Sequence, residues 1–172
     1  MTEDLQYPVG KFTRTADPLN ESQRQALIES IAAAPAHIRA AVSNLSESQL
    51  DTPYRLGGWT ARQVVHHVAD SHLNAYTRFR LALTEDEPRI KPYDEAAWAE
   101  LSDAKTAPVE VSLVLLEKIH ERWELLMRAL APTAFARTFT HPDLGAMSLD
   151  VQIQLYDWHG RHHLAHISLC QH

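Results

Sequence analysis

Apolar residues recur at helical spacing in four stretches of the chain, and polar caps mark where the stretches begin. Asn20-x-x-Gln23 is a capping-box pattern that opens a first helix through Leu27 and Ile31. Pro35 predicts a kink or restart, after which the pattern continues through Ile38, Ala41 and Leu45. Pro53, Gly57 and Gly58 make residues 46–58 a turn and a loop. Thr60-x-x-Gln63 repeats the capping box and opens a long helix to about Leu83. A charged, proline-bracketed loop, Glu85 to Pro92, precedes a short helix over Asp94 to Leu101. Thr106, with Pro108 in the first turn, predicts a third long helix to about Leu130, carrying Leu115, Leu116, Ile119, Trp123 and Leu126. Residues 132–146 read as irregular, with a small hairpin through Phe139. Ser148, with Asp150 just inside the start, opens a last helix towards the C-terminus. Residues 1–20 hold two prolines and little periodicity, and read as an extended arm laid over the bundle or a partner. Four long helices with short connections predict an all-α four-helix bundle formed as one domain over 1–172.

Composition narrows the function. The chain of 172 residues is long enough for one domain with a real core. An apolar share of 45 % against 22 % charged excludes a disordered chain. Five glycines supply too little turn chemistry for a many-stranded β fold. The net charge of −6, with no basic cluster, argues against a nucleic-acid partner. No apolar run approaches the length that crosses a bilayer, so no membrane role is expected. A single cysteine, Cys170, and an acidic start without a signal-peptide pattern point to the cytoplasm.

The histidines are the unusual feature: there are 11, four of them at 159, 162, 163 and 166. On a helical wheel with His159 at zero, Leu155 falls at about −40°, His163 at about +40°, His166 at about −20°, His162 at about −60° and Tyr156 at about +60°. Gln154, Asp157 and Arg161 fall on the far side, about 140–160° away. The four imidazoles therefore share the apolar arc. Buried imidazoles need partners for both ring nitrogens and repel one another if protonated. A divalent metal resolves both difficulties by binding neutral imidazole through a lone pair.

On the second helix, with His67 at zero, Val64, Val68, Ala75 and Phe79 centre near +90° and His66 lies at about −100°. His67 therefore flanks the buried face and can reach into the bundle, whereas His66 points away from it. Asp70, three residues on, can neighbour His67 and accept a hydrogen bond from an imidazole. His159-x-x-x-His163 sets two imidazoles one turn apart, the helical spacing of zinc enzymes, here without a metalloprotease glutamate. A third ligand from another helix completes a set of three and leaves coordination positions open for chemistry. The wheels leave His162 and His166 as further ligand candidates.

Other readings are poorer. Glu117-x-x-His120 matches one element of a di-iron carboxylate bundle, but the second element and the further inward glutamates are missing. Cys170 sits near the end of the last helix and is a poor positioned nucleophile. His37, His72, His120 and His141 receive no role, and Trp59, Trp98, Trp123 and Trp158 read as core, with one able to wall a pocket.

Two segments carry a resemblance. Gly57-Gly58-Trp59-Thr60-Ala61-Arg62-Gln63-Val64-Val65-His66-His67-Val68-Ala69-Asp70-Ser71-His72 resembles the first signature of the DinB/YfiT-like superfamily. Trp158-His159-Gly160-Arg161-His162-His163-Leu164-Ala165-His166-Ile167 resembles its C-terminal signature. Tyr7-Pro8-Val9-Gly10-Lys11 and Lys91-Pro92-Tyr93-Asp94-Glu95-Ala96-Ala97-Trp98 resemble the narrower YfiT branch of metal-dependent hydrolases. The resemblance covers nearly the whole chain. It implies a four-helix bundle, a homodimer, and one divalent ion per subunit on three histidines, which by position are His67, His159 and His163. Relatives in this superfamily also use the site to join a low-molecular-weight thiol to an electrophile.

Together these readings predict a metal-dependent hydrolase in which Zn²⁺, Ni²⁺ or another divalent transition ion activates water against a small-molecule substrate. A thiol S-transferase, with a low-molecular-weight thiol in place of water, is the alternative, and a non-catalytic metal-binding bundle is a third reading. Asp70, His162 and His166 are the candidates for a general base.

Overall fold

Local capping chemistry sets where the helices start. In the computed structural model, which describes residues 5–171, Asn20 and Gln23 close a reciprocal capping box at the start of α1, Glu21–Val42. Thr60 and Gln63 do the same for α3, Ala61–Thr84. Ser148 accepts from Val151 N–H to open α7, Leu149–Leu169. The predicted hairpin forms as β1, Thr138–His141, paired antiparallel with β2, Gly145–Ser148, after a 3₁₀ turn over Pro132–Ala136.

Several expectations are corrected. Residues 46–58 contain a one-turn helix, α2 (Glu47–Leu50), with its own Ser46–Gln49 capping box. The short helix after the charged loop is α4, Glu95–Ala99, and a second one, α5, Ser102–Thr106, follows it. Thr106 therefore ends α5, its hydroxyl donating to the Ser102 carbonyl, and Pro108 is the N-cap of α6, Val109–Ala129. Pro35 neither ends nor restarts α1, which runs through it unbroken.

The long helices α1, α3, α6 and α7 form the bundle. Helix α1 packs between α6 and α7, and α3 packs between the same two from the opposite side. Helices α1 and α3 are thus diagonal, as are α6 and α7, and the connections between them cross the bundle end. No helix among the described residues is long and apolar enough to cross a membrane.

The core falls into two apolar clusters. One contains Ile31, Phe79, Trp123, Phe135, Phe139 and Ile153; the other contains Ile38, Val64, Val68, Leu113, Leu116 and Ile167. Between them each helix contributes a buried non-aliphatic interval: Pro35 on α1, His72 on α3, His120 on α6, and His162, His163 and His166 on α7. Burying polar rings between two apolar layers requires each to find partners, and that requirement shapes the site.

The N-terminal arm lies along α7. Gln154 holds it, accepting from Thr15 N–H at 2.8 Å and donating to the Ala16 carbonyl at 2.6 Å. Gln154 is accordingly buried and not on the solvated side of α7 as the wheel places it. Asp150 is also buried: it takes a two-pronged pair from Arg24 at 2.8 and 2.9 Å and the Leu19 N–H at 3.0 Å.

Candidate metal centre

His67 from α3 meets His159 and His163 from α7 at the wall of a cavity. The Nε2 atoms of His67 and His159 face each other 3.3 Å apart. That is long for a hydrogen bond between ring nitrogens, but it is the edge expected when two nitrogens sit about 2.0–2.1 Å from one tetrahedral ion. One ligand nitrogen from each of the three rings lies within 4.8 Å of the others. His163 turns its Nδ1 towards His166 Nδ1 at 3.3 Å, which leaves its Nε2 for the cluster.

Burial makes these rings neutral. It pushes the pKa of His67 down from its ordinary value to about 4, with the neighbouring His162 and His166 adding to the shift. His159 and His163 are driven well below the ordinary range, first by burial, then by the proximity of His67 for His159 and of His159 and His67 for His163. Three neutral imidazoles that converge without a carboxylate or carbonyl between them suit a borderline-soft divalent cation.

The loop before α3 closes one side. Arg62 at the start of α3 donates to Glu47 at 2.6 Å and to Asp51 at 2.7 Å, tying the loop's base to α2. Tyr54 then stacks on His166, with centroids 3.9 Å apart, and Trp59 tilts over His67 at 4.7 Å. Gly57 takes φ of +69°, and a Cβ at Gly58 would lie 3.1 Å from the Tyr54 ring, so the turn depends on both glycines.

The cavity measures about 670 Å³. Besides the histidines, Tyr7 from the arm, Ser71 and Arg78 from α3, Tyr93, and Tyr156 from α7 line it. Ser71 Oγ lies 3.4 Å from both His159 Nε2 and the Tyr156 hydroxyl, and burial raises the pKa of Tyr93 and Tyr156, keeping both phenols protonated.

Known proteins share this arrangement of helices. The family model of the DinB superfamily matches residues 30–167. The chain belongs to the DinB superfamily. A protein of Bacillus cereus (strain AH820) named "Putative metal-dependent hydrolase" is 53 % identical over 165 residues, covering 96 % of this chain and 94 % of the relative. A Bacillus anthracis protein (strain A0248) with the same name matches to the same extent. The solved structure of YfiT from Bacillus subtilis, titled a "probable metal-dependent hydrolase with an unusual four-helix bundle topology", superposes with a TM-score of 0.93 at 48 % identity, over 96 % of this chain and 95 % of YfiT.

In this DinB-superfamily chain the residues singled out by sequence separate into two groups. His67, His159 and His163 converge, and His162 and His166 line the same cavity. His162 stacks on Trp158 at 4.5 Å, and its buried Nδ1 makes no hydrogen bond among the described residues. Asp70 does not line the cavity; it is half-buried, and burial and the nearby Asp103 raise its pKa. His66 points away from the cavity but is buried beneath α6, its ring nitrogens meeting Ser112 Oγ at 2.7 Å and the Ala107 carbonyl at 3.1 Å.

His72 and His120, given no role by sequence, lie directly behind His159. His72 Nε2 is 3.1 Å from His159 Nδ1, and His72 Nδ1 is 2.7 Å from His120 Nε2. The wheel of α3 held a signal for the first of these. His72 falls at about 140° from His67, nearer the centre of the apolar arc than His67 itself.

Proposed function

We propose that the chain is a metal-dependent hydrolase acting on a small molecule, with one divalent transition ion, Zn²⁺ or Ni²⁺, held by His67, His159 and His163. The convergence of three neutral imidazoles from two helices on a cavity of about 670 Å³ carries this reading. When bound, such an ion lowers the pKa of a coordinated water and polarises an acyl or related oxygen.

The chain's own groups supply the rest. His67, His159 and His163 would hold the ion by three protein ligands and so would leave it coordination positions for water and substrate. Trp59 covers the His67 ring, and Tyr54 covers His166 beside it. The protonated Tyr93 and Tyr156, with Arg78, offer donors along one wall to a substrate oxygen carrying negative charge. His162 and His166 are both held neutral by burial and can accept a proton from a nucleophile in the cavity.

The test uses protein purified without added metal or affinity tag and then loaded with Zn²⁺ or Ni²⁺. Panels of esters and amides should be hydrolysed by the loaded wild type and not by His67→Ala. Conjugation of a low-molecular-weight thiol to a model electrophile, with no hydrolysis in either panel, would replace the hydrolase reading by thiol transfer.

A further inference from the structure

One hydrogen-bonded chain runs through the centre of the bundle and takes a member from each long helix. His159 Nδ1 on α7 meets His72 Nε2 on α3, His72 Nδ1 meets His120 Nε2 on α6, and His120 Nδ1 meets the Ile31 carbonyl on α1 at 2.7 Å. The last link decides the direction of all the others. A carbonyl only accepts, so His120 carries its proton on Nδ1. A neutral imidazole carries one proton, so His120 Nε2 must accept from His72 Nδ1–H. By the same reasoning His72 Nε2 accepts from His159 Nδ1–H. His159 then has a bare lone pair on Nε2, the atom that faces His67.

The Ile31 carbonyl is available for a reason visible in the sequence. In an α-helix the carbonyl of residue 31 accepts from the N–H of residue 35. Residue 35 is proline and has no N–H. A buried carbonyl without its helical donor needs another, and His120 supplies it. Complete burial of His72 and near-complete burial of His120 disfavour an extra proton, which would reverse the chain and place a hydrogen on His159 Nε2.

We propose that the Ile31 carbonyl freed by Pro35, His120 and His72 act together as a tautomer lock that holds His159 in its Nδ1–H form and presents its Nε2 lone pair to a divalent ion. His72 and His120 are positioning residues that never touch the ion. This inference rests on the reading of His159 as a metal ligand.

Long-range ¹H–¹⁵N correlation spectra of the metal-free wild type test the lock directly. All three rings should appear as Nδ1–H tautomers, and an Nε2–H form of His72 or His159 would overturn it. Zinc competition titrations test its consequence. His72→Leu removes both acceptor and donor and should weaken Zn²⁺ binding about 10–100-fold. His72→Gln, whose amide can accept from His159 and donate to His120, should recover most of that loss. Equal weakening in both variants, or none in His72→Leu, would overturn the proposal even if His72→Leu folds poorly, because the spectra and His72→Gln remain decisive. A wild type with fixed Nδ1–H tautomers that binds no Zn²⁺ would instead refute the ligand reading.

Discussion

His67 Nε2 and His159 Nε2, 92 residues apart in the chain, point at each other across 3.3 Å between α3 and α7. Two buried lone pairs so placed repel unless a proton or a cation lies between them. A cation satisfies both and the third imidazole as well. Metal analysis of protein purified without added metal should find about one ion per chain in wild type and a loss of most of it in His67→Ala and in His163→Ala. Retention of the ion by both variants would refute the three-histidine centre.

The Arg24–Asp150 pair joins α1 to α7 beneath the arm, with both side chains buried and the Arg24 guanidinium over the Phe135 ring at 4.5 Å. Removing one partner leaves the other charge buried and uncompensated. Asp150→Ala should lower unfolding free energy by about 3–5 kcal/mol in denaturant titration. A loss below about 1 kcal/mol, the level of an exposed pair, would contradict the burial shown.

Gln154 is the clip that holds the arm, through Thr15 and Ala16. Gln154→Ala should speed limited proteolysis within residues 5–16 while leaving helical circular dichroism unchanged. Because the arm brings Tyr7 to the cavity, the same variant should raise KM more than it lowers kcat for any hydrolysed ester.

Burial lowers the pKa of His120 from its ordinary 6.5 to about 4. The unfolded chain therefore binds a proton at this position before the folded chain does. Its contribution to stability is complete above pH 6.5 and is lost as pH falls towards 4. The loss from His120 alone should reach about 2 kcal/mol at pH 5. Denaturant titrations of metal-free protein at pH 7.5 and pH 5 should show it, and His120→Phe should reduce the dependence by that amount, the other buried histidines keeping the remainder.

On the proposed hydrolysis, one of His162 and His166 takes the proton of the nucleophile. Replacing the acceptor by Gln should lower kcat by about 10²–10⁴-fold with little change in KM, and replacing the other should not. His166 also stacks on Tyr54 and contacts His163, so its loss should additionally weaken metal binding.

The starts of α1, α3 and α7 were legible in the sequence because a cap is made among residues within one turn: Asn20 with Gln23, Thr60 with Gln63, and Ser148 with the α7 amides all behave as their spacing predicts. The apolar arc of α7 likewise followed from periodicity, and it placed four imidazoles inward. Periodicity failed where a second element covers a helix. Gln154 looks solvated until the arm lies over it, and His66 looks outward until α6 packs upon it. Asp70 stands three residues from His67, yet it is half-buried and faces Asp103 on α5, an element that lies far from it along the chain.

By itself, then, the sequence determined where the four long helices lie, the inward arc of α7 and that an excess of imidazoles would be buried. Those properties depend on neighbours within a turn or two along the chain. Only the tertiary structure decided that His67 meets His159, that Pro35 sits inside an unbroken helix, and that the carbonyl it frees meets His120. Both of these meetings, His67 with His159 and the Ile31 carbonyl with His120, pair residues from different helices, and which residues meet is settled by how the helices pack side by side and at what height.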